Sequence, residues 1–215
     1  MNVGVLGTGD VGRRLGGGFV SRGHNVMIGS RDPSSEKVRD WVSQQNGRGT
    51  AGTFAEAAAF GELLVLATKW DGTENALELA GAENFRGKVL IDATNPLRVE
   101  PGKPPGLALG HSNSGGEQVQ RWLPEARVVK AFNIVGNANM IDPDFPGGPP
   151  DMFICGNDAD AKRQVADICT SFGWKGATDI GGIEGARELE PLCILWVKYG
   201  IVTSQWNHAF KVLRK

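Results

Sequence analysis

Val3-Gly4-Val5-Leu6-Gly7-Thr8-Gly9-Asp10-Val11-Gly12, at the head of a 215-residue chain, decides how the rest is read. Val3–Leu6 is a short apolar run, and the pattern GxGxxG follows it at once. In a chain with 31 glycines that pattern is weak alone. Between a strand and a helix it acquires a mechanism. Gly7 permits the tight turn, Gly9 lets the backbone approach a pyrophosphate, and Gly12 allows the helix to pack closely. Thr8 lies in the same loop. The N–H groups of Asp10 and Val11 then face the phosphates at the positive end of the helix dipole. The helix is unusual in carrying Gly16, Gly17 and Gly18 in its interior, each about 1 kcal/mol worse than alanine. Gly12 and Gly16 share a face, so close packing on the first strand accounts for one of them. For Gly17 and Gly18 the sequence offers only the close approach of a second subunit.

Working outward, short apolar runs alternate with helical patterns to about residue 180. The expected strands are Val3–Leu6, Asn25–Ile28, Gly49–Thr53, Leu63–Ala67, Val89–Ile91, Arg127–Lys130, Met152–Ile154 and Ala177–Ile180. Unbroken apolar runs mark strands covered on both faces, and strand–helix alternation marks parallel pairing with crossover helices. The fold class is therefore α/β, a Rossmann-type doubly wound, mainly parallel sheet with a C-terminal helical extension. The expected division is a dinucleotide-binding domain over 1–182 and a helical extension over 183–215, packed on it or in a dimer interface. Asp32-Pro33 predicts a helix start, as do the capping-box patterns at Thr53–Glu56 and Ser114–Glu117. A further helix is expected over Lys162–Phe172. Pro96–Gly116 and Asn137–Pro150 read as long loops, and Pro191 as a break or kink in the last helix.

The end of the second strand selects the cofactor. A site for the unphosphorylated dinucleotide places a carboxylate there, about 20 residues past the glycines. This chain has Ser30-Arg31 instead. A guanidinium binds a 2′-phosphate bidentately, and the serine hydroxyl donates to the same group. The cofactor implied is NADP(H). Asp32 is assigned to capping, and Lys37 is one turn away. Further strand ends line the same crevice: Ala67-Thr68-Lys69-Trp70, Asp92-Ala93-Thr94-Asn95-Pro96 and Lys130-Ala131-Phe132-Asn133. Ala67, Thr68, Lys69, Asn95, Pro96, Ala131 and Asn133 join the glycine loop, Ser30 and Arg31 as the expected cofactor-binding residues. Small residues and amides suit a ribose and a carboxamide. Trp70 suits either a cover for the cofactor or plain packing. His111 lies in the long loop on the substrate side; Glu188 and Glu190, near Pro191, read equally as neighbours of the substrate pocket and as solvated helix charges. No proton-transfer residue is assigned.

The chain carries a net charge of -1, which argues against a nucleic-acid partner. Its longest apolar stretches are too short for a bilayer, and its first residues already read as a strand rather than a secretory signal. Cys155, Cys169 and Cys193 show no CxxC spacing and read as buried reduced thiols. A cytoplasmic location is expected. His24, His111 and His208 lack metal-ligand spacing, so no metal site is expected.

The ordered segments GTGDVG (7–12), GSRDP (29–33), ATNP (93–96), the run SNSGGEQVQRWLPEARVVKAFN (112–133), DMFICGNDADAKRQV (151–165) and GGIEGARELEPL (181–192) span nearly the whole chain. The set resembles the deazaflavin-dependent NADP oxidoreductase family, and it is similar to the cytoplasmic NADPH-binding domains of six-transmembrane metalloreductases. The resemblance implies NADPH held by the glycine loop with Ser30 and Arg31. It also implies hydride transfer to a planar redox acceptor, a deazaflavin coenzyme, FMN or FAD. Where deazaflavin enzymes of that family can carry histidine, this chain has Asn133. Two other readings stay open: an imine- or hydroxyacid-type NADP reductase, and a non-catalytic NADP(H)-sensing module. Leu192, Ile194, Leu195, Trp196, Tyr199, Ile201, Val202, Trp206 and Phe210 are assigned to the final helix. That is more apolar surface than one sheet edge covers, so a homodimer is expected.

Overall fold

The computed structural model describes residues 1–213 and 215. Six strands form a parallel sheet: β1 (Asn2–Leu6), β2 (Asn25–Gly29), β3 (Gly49–Gly52), β4 (Leu63–Leu66), β5 (Val89–Asp92) and, after a small hairpin, β8 (Arg127–Lys130). Two more extend it. β9 (Phe153–Gly156) runs antiparallel to β8, and β10 (Thr178–Asp179) runs parallel to β9. The spatial order is β10-β9-β8-β5-β4-β1-β2-β3. All eight expected strands are present, with ends displaced by a few residues at most.

Both faces of the sheet are dry, as the unbroken apolar runs require. Val3, Val5, Leu63, Val65, Val89 and Ile91 point to one side, into a core shared with α1 (Asp10–Ser21), α2 (Glu36–Ser43) and α6 (Ala159–Ser171). Leu6, Leu64, Leu66, Leu90 and Val128 point to the other. There they meet α3 (Phe54–Phe60), α4 (Thr73–Ala80), α5 (Gly115–Trp122) and α7 (Ala186–Thr203). The order of connection reverses between the adjacent strands β1 and β4, and a crevice opens beyond their C-terminal ends.

Several expectations are corrected locally. Asp32 does not cap α2. Its carboxylate accepts from the backbone and hydroxyl of Ser34, closing a turn, and α2 begins after Ser35. Pro191 does not interrupt the last helix: α7 is continuous through it, one hydrogen bond short. Trp206 and Phe210 lie beyond α7, in a tail that folds back over it. Trp206 sits against Gly200 and packs tilted against Trp196, at 5.7 Å between ring centres and 53° between planes. The loop at Pro96 contains a hairpin, β6 (Leu97–Arg98) with β7 (Gly106–Leu107), and α5 starts at its end. The capping box at Thr53 is complete. At Ser114 only half of it forms, because the Glu117 carboxylate turns to the Ser114 hydroxyl and to Arg187.

The glycines of α1 now have separate reasons. Gly16 lies against β2 and Trp41 rather than β1: a Cβ there would stand 3.0 Å from the Trp41 ring. At Gly18 a Cβ would overlap Ile141 Cδ1 and approach Phe172 to 3.3 Å. Gly17 has room, its nearest neighbour being the Gln45 side-chain oxygen at 3.8 Å.

Candidate functional site

The loop between β1 and α1 is shaped by steric exclusion. Gly7 has φ +123°, and a Cβ on it would stand 2.5 Å from the Ala67 carbonyl oxygen. A Cβ on Gly12 would overlap the Gly7 carbonyl oxygen, so this glycine lets the helix press on the turn itself. Gly9 has nothing within 4 Å of where its Cβ would be, leaving open space over the first turn of α1. The N–H groups of that turn have no partner within the helix. The Asp10 carboxylate is paired with Arg13 at 2.5 Å.

Two adjoining cavities of about 560 and 510 Å³ share Gly9, Ala67, Thr68, Lys69 and Asp71. The first runs past Gly7 and Thr8 to Ser30, Arg31 and Lys37. The Ser30 hydroxyl oxygen accepts from the Asp32 N–H at 3.1 Å, which leaves its own proton available. Arg31 and Lys37 are exposed, and neither forms an ion pair among the described residues. The second cavity is more apolar. Val11, Ala93, Leu97 and Val99 line it with Trp70, Thr94 and Asn95. Trp70 also stacks on Trp122 at 5.7 Å, so it both packs and lines.

Of the residues expected from sequence, Gly7, Thr8, Gly9, Asp10, Val11, Ser30, Arg31, Ala67, Thr68, Lys69 and Asn95 line these cavities. Gly12, Pro96, Ala131 and Asn133 do not; they are buried behind the wall. Asn133 and Asn95 clasp each other: Asn95 Nδ2 donates to the Asn133 carbonyl at 2.9 Å, and Asn133 Nδ2 donates to Asn95 Oδ1 at 3.0 Å. Asn133 Nδ2 also donates to the Leu189 carbonyl of α7. Its Oδ1 is buried with no donor among the described residues. The preceding Phe132 has φ +61°, a left-handed conformation costing about 1–3 kcal/mol for such a residue. His111 is elsewhere, beside a shallow opening lined by Leu109, Arg187 and Pro191.

The sequence reading missed one constellation and misjudged part of it. Asp92, Lys130 and Glu190 are all buried, at 0%, 0% and 1% exposure, and joined into one ionic cluster. Lys130 Nζ lies 2.8 Å from Asp92 Oδ2 and 2.9 Å from Glu190 Oε1, and it donates to the Thr94 carbonyl at 2.8 Å. Burial alone would strip its proton. The two carboxylates outweigh that and hold the ammonium above the ordinary lysine range. The second negative charge meets the N-terminus of α5, where Gly115 and Gly116 N–H groups donate to Glu190 at 2.9 and 3.0 Å. Glu190 is thus not a solvated charge, whereas Glu188 is exposed. A usable signal was present: a charge at the C-terminal end of each of two strands with apolar centres, VLID and RVVK.

Comparison with known proteins agrees with this geometry. Residues 2–96 match the family described as NADP oxidoreductase, coenzyme F420-dependent. The F420-dependent NADP reductase of Methanothermobacter marburgensis is 30% identical over 224 residues, covering 99% of this chain and 98% of its own. Metalloreductase STEAP3 of Rattus norvegicus is 29% identical over 199 residues; the match covers 88% of this chain but only 36% of that protein. The chain thus spans about a third of that metalloreductase. A crystal structure from Arthrobacter sp. FB24, described as a candidate F420-dependent NADP reductase, superposes with a TM-score of 0.93. It is 39% identical, over 99% of both chains.

Proposed function

The chain belongs to the family of coenzyme F420-dependent NADP oxidoreductases, and from that premise we propose that it transfers hydride between NADPH and a planar deazaflavin or flavin acceptor. The carrying observation is the meeting, in one groove, of open backbone at Gly9 with Ser30, Arg31 and Lys37. Two free cations and a hydroxyl with a proton to give match a dianionic phosphate, and β2 is followed by Ser30-Arg31 rather than by the carboxylate that would favour a ribose hydroxyl.

In this reading the N–H groups of Asp10 and Val11, with Gly7, Thr8, Gly9 and Gly12 shaping the loop, hold the pyrophosphate. Ala67, Thr68 and Lys69 flank it, and Asn95 faces the nicotinamide end, backed by Pro96, Ala131 and Asn133. The bound dinucleotide supplies the hydride. Trp70, Val11, Leu97 and Val99 supply an apolar wall that keeps water from the exchange and suits a flat ring. Transfer between stacked rings rests on proximity and orientation rather than on an acid–base pair.

The free, buried cysteines support a reducing compartment such as the cytoplasm. No helix among the described residues is long and apolar enough to cross a membrane. Residues 183–215 are proposed as the extension through which two copies associate: Leu195, Tyr199, Ile201 and Val202 of α7 stand exposed beside Trp206. Light scattering at micromolar concentration tests the dimer, and a monomer rejects it. For the activity, NADPH oxidation is followed with a deazaflavin, FMN and FAD in turn. Turnover with one of them supports the reading, and tight NADPH binding without turnover on any refutes it.

A further inference from the structure

Three ionised side chains buried together are an expensive way to hold a fold, since hydrophobic replacements of similar shape commonly serve as well. Their placement is informative. Asp92 ends β5 and Lys130 ends β8, so both sit at the strand ends that open on the crevice. Asp92 Oδ1 accepts from the Thr94 N–H and hydroxyl at 2.9 and 2.6 Å, and Lys130 holds the Thr94 carbonyl. Thr94 and Asn95 line the apolar cavity. From the far side, α7 delivers two consecutive residues. Glu190 grips Lys130 and the start of α5, and the Leu189 carbonyl accepts a hydrogen bond from the Asn133 amide Nδ2. That contact and Asn95 together fix which way the amide faces and leave Asn133 Oδ1 as a buried acceptor without a donor. The left-handed Phe132 lies inside the same framework, a strained conformation that persists only where its surroundings over-determine it.

We propose that Glu190 is a positioning residue: through Lys130 and the α5 N-terminus it seats α7 so that the Asn133 amide braces the Thr94–Asn95 segment from behind and that segment presents a fixed polar edge to the nicotinamide carboxamide. The inference rests on the cofactor reading above. It assigns the N-terminal half of α7 a part in the site that its sequence does not advertise. Glu190 touches neither cofactor nor acceptor; it acts through what it holds.

The test separates the two ends of the cofactor. Wild type, Glu190→Gln and Glu190→Asp are titrated by calorimetry with 2′,5′-ADP, which lacks the nicotinamide, and with NADPH, whose bound fluorescence is recorded. The maximal rate and KM are then measured with the best acceptor. Glu190→Gln turns an amide N–H toward Lys130 or the glycine N–H groups. It is expected to keep 2′,5′-ADP affinity within about twofold, while the maximal rate falls about tenfold or more and the bound-NADPH emission changes. Glu190→Asp keeps the charge but withdraws it by one methylene; it is expected to fall between, and it decides the matter if the glutamine variant does not fold. Equal losses for 2′,5′-ADP, NADPH and rate would make the residue merely structural and overturn the proposal, as would a glutamine variant matching wild type in every readout. A wild-type protein that binds neither probe overturns the cofactor reading itself, a result distinct from either.

Discussion

Alanine at Gly17 and alanine at Gly18 are expected to move stability in opposite directions, although the two residues are neighbours in one helix. Each substitution returns about 1 kcal/mol of helix propensity. At Gly17 nothing opposes it, because the new methyl meets only the Gln45 side-chain oxygen at 3.8 Å, an ordinary contact. At Gly18 the methyl would overlap Ile141 Cδ1 and come within 2.9 Å of its Cγ1 and 3.3 Å of Phe172. Ile141 and Phe172 are 7% and 0% exposed, so there is little room to yield. Overpacking of this kind costs about 1–3 kcal/mol. The net is a gain of about 1 kcal/mol at Gly17 and a loss of up to about 2 kcal/mol at Gly18. For a chain of this size that corresponds to a melting temperature raised by about 2–4 °C in the first case and lowered by up to about 8 °C in the second. Thermal unfolding followed by circular dichroism, at equal protein concentration, reads both. A Gly18→Ala protein as stable as Gly17→Ala would refute the packing argument. A Gly17→Ala protein that is destabilised and altered in oligomeric state would show that the open side of α1 meets another subunit.

Other outcomes follow from the site. If Arg31 holds the 2′-phosphate as proposed, Arg31→Ala removes a charge-assisted bidentate contact worth about 2–3 kcal/mol, so NADPH affinity should fall about 30- to 150-fold by calorimetry with NADH binding little changed; equal losses would remove the 2′-phosphate role. Gly9→Ala fits its backbone, with φ -69° and ψ 178°, and its Cβ meets nothing. Its melting temperature should therefore hold while NADPH binding weakens about tenfold or more, and an unchanged affinity would mean that no pyrophosphate lies over that turn. Burial pushes the Cys155, Cys169 and Cys193 thiols up to about 12. The native chain therefore keeps its protons where an unfolded chain begins to lose them, near pH 8.5, so stability is complete below that pH and declines as pH rises toward 12. Alkylation of the native protein at pH 8 should proceed only as fast as it unfolds, and rapid labelling of any of the three would contradict their burial.

Much of this molecule was legible before any coordinates. GxGxxG after an apolar run, unbroken apolar strands and Ser30-Arg31 in place of an acid are local statements. Each depends on one residue's conformational freedom, on period, or on charge at a known distance from the glycine loop. The first two hold because the steric demands at Gly7 and Gly12 and the dryness of both sheet faces are met locally, and the third stands with the proposed cofactor site. What tertiary structure alone decided involves partners far apart along the chain. Gly18 is explained by Ile141 and Phe172, and Asn133 by Asn95 and Leu189. The antiparallel entry of β9 and the passage of α7 through Pro191 likewise depend on what already lies beside them. Glu190 is the sharpest case. On a helix a glutamate is by default a solvated charge, and only the arrival of Lys130 and two backbone N–H groups, from segments 60 and about 75 residues away, makes its burial affordable.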